Sequence, residues 1–426
     1  MKPLADHFVT VFESPDSKEL FCYSPGLCQT PSGRMVGTFD IGGPGVKDLP
    51  GLKSTVGDFH GGNIGKCVVS DDGGRTWEHR LDFPFYHARP FMAGNRLYIL
   101  GHSGDLMIVA SDDHGQTWSQ PTKLTHNHHW HQAPCNVHYA NGCVYLVMER
   151  QVYDDCKAWK PSVNAPVLMR AKINADLTKR ESWSFATERV FRDEFDNDHL
   201  IDQGRFFYPI DPLDFYLPDP SQPGRNSAPP GWLESNVVQI VDPDHYWFEP
   251  SGKTLHLVMR LHLANSGYAA LLKVTEQGDT PGTGEMITSF EHFPSGGECR
   301  IIALPGGQMK FHILYDPCTK LYWLLSSQNT DSMTKAQHMP ADRINLPNNE
   351  RHRLVLHFSK NLIDWCFAGV VAIGKTALDA RHYASMIVVD QDLCILSRSA
   401  NQQAKNAHDG NLITFHRVQN FRELVY

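Results

Sequence analysis

The residues best equipped for chemistry in this chain are histidines and arginines set in or beside apolar runs. His87 opens YHARPF, His102 closes LYILGH, and the densest group, HNHHWHQAP, carries His126, His128 and His131. A neutral imidazole can take or give a proton near pH 7, so His87 and His102 are candidates for acid–base work, with hydrogen-bonded core histidines as the alternative. His126 and His128 lie in a polar loop and read as surface residues. Arg150 and Tyr153 end VYLVMERQVY, while Arg170 interrupts VLMRAKI and Arg260 interrupts LVMRLHL. A guanidinium stays charged and is costly to bury alone, so Arg170 and Arg260 must each find an anion or a ring of acceptors. Where it is an anion, it is either a carboxylate of another blade or one on a ligand, which the guanidinium fork matches in geometry and charge. A hydrolase would want two acidic residues across the scissile bond, and Glu149 and Glu234 are the best offers, with structural roles as their alternative.

These side chains need a scaffold that makes them converge, and the sequence supplies one by repetition. SDDGGRTW (Ser70–Trp77) and SDDHGQTW (Ser111–Trp118) share the pattern Ser, variable, Asp, variable, Gly, variable, Thr, Trp, and they start 41 residues apart. This is the Asp box: the carboxylate accepts backbone N–H groups across the turn, Gly takes a positive φ and Trp packs between sheets. It closes the hairpin of the two outer strands of a blade, so the spacing predicts successive blades of a β-propeller. Degenerate versions at Ser359–Trp365 and Ala175–Trp183 mark further blades. The remaining chain reads as short β-branched and aromatic runs between turns, without helical periodicity. The fold class is all-β, a single propeller domain over residues 1–426, seven-bladed, with six blades as the alternative. Phe206–Pro230, rich in proline, reads as a long inserted loop over one face, and NLITFHRVQNF reads as the strand that closes the ring beside the N-terminal segment.

Composition narrows the partners. The net charge of -8 argues against nucleic acid, and an acidic ligand must then be met by a local basic site. No apolar run is long enough for a membrane helix, so no membrane partner is expected. MKPLADHFVTVF lacks the pattern of a secretory signal, which implies either a cytoplasmic protein or a secreted one whose signal has been removed. The ten cysteines show no CxxC pair, and although the 23 histidines leave room for a structural metal, no segment has metal-finger spacing that would assign its ligands.

The boxes resemble those of sialidases, which place three arginines on one carboxylate and use a Tyr nucleophile backed by Glu, with the early Arg in an RIP-type motif. Here Arg34 in SGRMVGTFD stands where that Arg would fall, and there is no RIP. YHARPFMAGNRLYILG, WHQAPCNVHYANGCVYLVME, GWLESNVVQI, KFHILYDPCTKLYWLLSS and NAHDGNLITFHRVQNF are similar to segments of sialidase-like seven-bladed polysaccharide lyases, the ulvan lyase and rhamnose-glucuronate lyase families. The resemblance implies β-elimination at a 4-linked uronic acid, of the L-rhamnose-α-1,4-D-glucuronate type, in an acidic oligo- or polysaccharide, giving an unsaturated uronate. By motif, His87 and His102 match the family's His pair, Tyr153 its Tyr and Arg170 its Arg. In that scheme Arg170 neutralises the C6 carboxylate, with Arg260 as a second, His87 takes the C5 proton, and Tyr153 or a His protonates the leaving oxygen. His131, Arg150 and Asn236 would contact sugar groups, and Trp232 would be either a stacking platform or blade packing. No cofactor is required. His382 in ARHYASM and His408 in NAHDGN belong to the same motifs without an assigned step, and His60 is an early candidate for a role on the opposite face of the ring. The readings set against this one are a glycoside hydrolase, either an exo-sialidase or a rhamnosidase, and a non-catalytic glycan-binding propeller.

Overall fold

The computed structural model describes residues 2–5, 7–57, 61–156, 159–195, 230–262, 267–330 and 350–426. The expected loop at Phe206–Pro230 and His60 therefore lie outside the described residues, apart from Pro230 itself. Strands dominate, and they pair into six antiparallel blades around a common axis. From the axis outward, blade I is built from Phe21–Gln29, Met35–Gly42, Ile64–Ser70 and Glu78–Phe83, and blade II from Tyr86–Ala93, Arg96–Ser103, Asp105–Ser111 and Thr122–Lys123. Blade III contains His129–His131, Cys143–Gln151, Asn164–Lys172 and Trp183–Phe185; blade IV contains Gly231–Val238, Thr254–His262, Tyr268–Glu276 and Met286–Ser289. Blade V is formed by His312–Asp316, Leu321–Ser327, Arg353–Ser359 and Cys366–Ile373. In blade VI, Arg381–Val389, Asp392–Ser399 and Leu412–Val418 are completed on the outside by the N-terminal strand Phe8–Glu13, which closes the ring.

The expected seven blades are corrected to six. A count from the 41-residue spacing overestimates the number, because among the four-stranded blades only blade II, Tyr86 to Lys123, is that compact. The remaining blades carry longer connections. Six hydrophobic clusters account for closure, one between each pair of neighbouring blades. Val36 and Val69 of blade I meet Ile99 and Val109 of blade II, for example, and Phe39 and Val68 meet Leu396 and Phe415 of blade VI. Middle strands are covered on both faces, which is why they read as nearly unbroken apolar runs rather than as alternation.

The two eight-residue turns hold the outer hairpins of blades I and II by identical contacts. Asp72 accepts the N–H of Arg75 and Thr76 and the Thr76 hydroxyl, and Asp113 accepts the same three groups from Gln116 and Thr117. Gly74 (φ 90) and Gly115 (φ 88) take the left-handed conformation, and a Cβ on Gly74 would collide with Phe415 of the neighbouring blade.

Candidate active site

All six innermost strands run in the same direction, so their N-terminal ends gather at one mouth of the central channel. Near that end the strand is interrupted. Register shifts fall between Tyr23 and Gly26, Tyr86 and Arg89, Leu233 and Asn236, and His382 and Ser385. In each shift one non-glycine residue has positive φ: Ser24 (32), His87 (50), Glu234 (59) and Tyr383 (50), with Gln132 (148) at the matching point of blade III. A bulge of this kind re-aims one side chain at a backbone cost, and it recurs at functional sites. The residue before each bulge pairs across to a polar residue on the second strand: Tyr23 to Asp40, Tyr86 to His102, His131 to Glu149, Leu233 to Arg260 and His382 to Arg398. Five blades thus place a polar side chain at the same height.

On one side of this ring lie the histidines. His87 Nδ1 is 3.2 Å from His102 Nε2, and the His131 ring lies 5.1 Å from that of His87 and 5.8 Å from that of His102. Burial holds His87 and His102 well below the usual imidazole range, and the neighbouring His131 pushes both the same way. His131 Nδ1 meets Glu149 Oε2 at 3.1 Å, and its side chain is 30% exposed where Glu149 is fully covered. Burial raises the Glu149 carboxyl, with His131 pulling it down. The other oxygen of Glu149 accepts the Glu234 N–H, so this carboxyl links the histidines to the bulge of blade IV.

Opposite stands Tyr383. Arg260 donates to its phenol oxygen at 2.5 Å and to Glu234 Oε2 at 3.1 Å, and the phenol also hydrogen-bonds Glu234. Burial pushes the Tyr383 phenol up to about 12, with Arg260 drawing it down and Glu234 adding to the rise. Arg351, just before the third strand of blade V, lies 5.6 Å from the Tyr383 ring centre, and Arg398 lies 5.3 Å from it. Arg351 donates to His382 Nδ1 at 3.1 Å, and Arg398 donates to the His408 carbonyl and sits 4.3 Å over the Tyr23 ring. Among the described residues neither Arg351 nor Arg398 pairs with a carboxylate, and the Nε of each is buried without a partner. Trp159 covers Arg260 at 5.1 Å.

The structure therefore brings together His87, His102, His131 and Arg260, and it places the other expected residues elsewhere. Arg170 lies near the C-terminal end of the third strand of blade III, the end remote from the gathered bulges. There it pairs with Glu276 at 2.6 Å and with the Gly284 carbonyl, so its anion is a protein carboxylate on blade IV. Tyr153 is half-buried, donating to Asp193 with Arg192 stacked on its ring, and Arg150 pairs with Glu188. Trp232 is blade packing: fully buried, it donates to the Asn164 carbonyl and meets Phe191 and Phe195 edge-on. Asn236 ties blade IV to blade V through the Phe311 carbonyl and the Ile313 N–H. Arg34 binds Asp71 at the periphery. His382 and His408, which had no step, flank the new cluster. Tyr383, Arg351, Arg398 and Trp159 were missed, although HYAS repeats the register of YHAR and LESN, and that repeat was the available signal. No group of His, Cys, Asp or Glu able to hold a metal occurs among the described residues.

No family model matches the chain, and no curated protein matches its sequence. Solved structures do. An α-L-arabinanase of Penicillium chrysogenum complexed with arabinobiose superposes with a TM-score of 0.52 at 12% identity, over 99% of this chain and 100% of that one. A mutant of the α-L-arabinofuranosidase Arb93A of Fusarium graminearum, in complex with an iminosugar inhibitor, gives 0.53 at 10% identity over 98% of each chain. The Hadza microbial sialidase Hz136 gives 0.54 at 14% identity, over 97% of this chain and 68% of that one. What these likenesses show is the β-propeller fold, of the kind that sialidases share.

Proposed function

We propose that the protein is a glycoside hydrolase acting on a sugar that bears a carboxylate, with Tyr383 as nucleophile. One observation carries this: two buried guanidiniums, Arg351 and Arg398, flank the Tyr383 ring without a protein carboxylate among the described residues to neutralise them. Unpaired buried cations are costly, and a ligand carboxylate between them supplies the missing anion. A substrate carboxylate would repel an anionic nucleophile, whereas a neutral phenol approaches it freely. Tyr nucleophiles are the known exception to the two-carboxylate scheme. The names of the structural neighbours, an arabinanase, an arabinofuranosidase and a sialidase, support hydrolysis as the reaction class.

In the proposed reaction Tyr383 attacks the anomeric carbon while Glu234 takes the phenol proton, and His131, oriented by Glu149, protonates the departing glycosidic oxygen. Water then attacks the glycosyl-tyrosine, His131 accepts its proton, and the phenolate recovers its proton from Glu234. Arg260 stabilises the phenolate as it forms. Trp159, rather than Trp232, offers the face for a sugar ring. The second reading is the lyase that the motifs resemble. The neutral His87 and His102 favour it, since an unprotonated imidazole can take a C5 proton from a uronate. One experiment separates the two: digest sialosides, glucuronides, gum arabic and ulvan in heavy-oxygen water and analyse the products by mass and ultraviolet absorbance. Oxygen incorporation at the anomeric carbon supports hydrolysis. An unsaturated uronate without incorporation would overturn it in favour of elimination.

A further inference from the structure

Beyond the Tyr383 site, toward the opposite mouth, the C-terminal parts of the innermost strands and the segment after His129–His131 line a cavity of about 330 Å³. Leu27, Arg89, Val137, Val237, Ile313 and Ile387, one from each blade, stand in its lining. Hydrogen bonds cross the axis between this cavity and the Tyr383 cluster. Lys310 donates to the Ala384 carbonyl and the Ser385 hydroxyl, and Ser385 donates to the carbonyls of Pro25 and Pro134 across the axis.

The lining of this cavity is largely apolar, and it includes one buried cation, Arg89. Arg89 is 2% exposed and donates only to the backbone carbonyls of Asn136 (3.4 Å) and Val147 (3.2 Å), while its Nε has no partner. Lys310, 1% exposed, lies behind the lining residue Ser385 and likewise meets only carbonyls and a hydroxyl. Neither cation forms an ion pair among the described residues. His312 lines the same space with Nδ1 unpartnered, and His138 with Nε2 unpartnered. A fixed positive charge in a largely apolar cavity complements one kind of molecule, an anionic head on an aliphatic body.

We propose that this opposite mouth is a second binding site, for a small amphipathic carboxylate, with Arg89 receiving the anionic head and Val137, Val237, Ile313 and Ile387 covering the chain. The site is independent of the reaction assigned to Tyr383. Titration calorimetry of the whole protein with hexanoate, and with 1-hexanol as the uncharged control, tests it at constant ionic strength. Hexanoate is expected to bind saturably with one site per chain and at least tenfold more tightly than hexanol. Arg89→Met should weaken hexanoate at least tenfold and leave hexanol unchanged. If Arg89→Met fails to fold, Ile387→Trp, a change at a half-buried wall residue that fills the cavity, should abolish binding of both. Arg351→Met in the first site should leave hexanoate affinity intact. Absence of saturable hexanoate binding, equal affinity for hexanol, binding that survives Ile387→Trp, or loss confined to Arg351→Met would each overturn the proposal.

Discussion

Tyr383→Phe is the most direct test of the assigned chemistry, because it removes one oxygen and little else. The lost atom accepts from Arg260 at 2.5 Å and bonds Glu234, but Arg260 and Glu234 still face one another at 3.1 Å. Both charged groups therefore keep a partner, and the stability cost should be that of one hydrogen-bonding group, about 1–2 kcal/mol. The variant should fold, bind the substrate carboxylate through Arg351 and Arg398, and fail to react. Loss of a covalent nucleophile typically lowers kcat by roughly 10⁴-fold or more, or about 5.5 kcal/mol of transition-state stabilisation. Initial rates on 4-methylumbelliferyl glycosides of sialic and glucuronic acid measure kcat, and ligand titration measures binding. Intact-mass analysis of the wild type after reaction with an activated fluoro-sugar should show an adduct that maps to Tyr383. A folded Tyr383→Phe protein with kcat within tenfold of wild type would refute the reasoning, whatever the adduct experiment shows.

Four further outcomes are expected. Arg351→Met should raise KM for a carboxylate-bearing substrate at least tenfold while leaving its methyl ester, already a poor substrate, unchanged; equal effects on both would place Arg351 outside the binding site. Arg170→Met breaks a buried pair with Glu276 and should destabilise by about 3–5 kcal/mol in urea unfolding, with the activity of the folded fraction intact. Trp232→Ala should cost about 3–5 kcal/mol through the cavity it leaves, and a pure KM effect without destabilisation would return Trp232 to the sugar site. His87, His102, His312 and His382 all have pKa values held well below the ordinary imidazole value by burial, so the unfolded chain binds more protons at mildly acidic pH. Their contribution is complete above the unfolded value of about 6.5 and should fall by on the order of 1 kcal/mol per histidine for each pH unit below it, read as a lower urea midpoint at pH 5.5 than at pH 7.5.

The scaffold was more legible in the sequence than the site it carries. Box turns are local: one carboxylate, one glycine and one Trp within eight residues determine the hairpin, so Ser70–Trp77 and Ser111–Trp118 read directly as blade edges. The blade count was not local, since it depends on how much chain each connection consumes. Arg170 and Arg260 look alike in one dimension, each a cation inside an apolar strand. They diverge only when strand direction is known, because Arg260 ends a second strand at the site mouth and Arg170 ends a third strand at the far one. Tyr383 was hidden for a different reason. Its role depends on a left-handed backbone at φ 50, and aligning HYAS under YHAR, HQAP and LESN would have exposed it along with the facing Asp40, His102, Glu149 and Arg398.

Closure of blade VI has a consequence for how the molecule is made. Its outermost strand comes from Phe8–Glu13 and its neighbour from Leu412–Val418, and His416 reaches the Ala5 carbonyl across 411 residues of sequence. At ribosomal speeds of about 5–20 residues per second, the N-terminal strand waits roughly 20–80 s for its partner. During that interval blade I and the growing last blade both present open edges and uncovered apolar faces, the condition in which nascent chains associate with one another. Tyr383, Arg398 and His408 also arrive late, so no partly synthesised ring can contain the assembled site. Yield in rapid overexpression should therefore depend on elongation rate and chaperone supply more than on the stability of the finished protein.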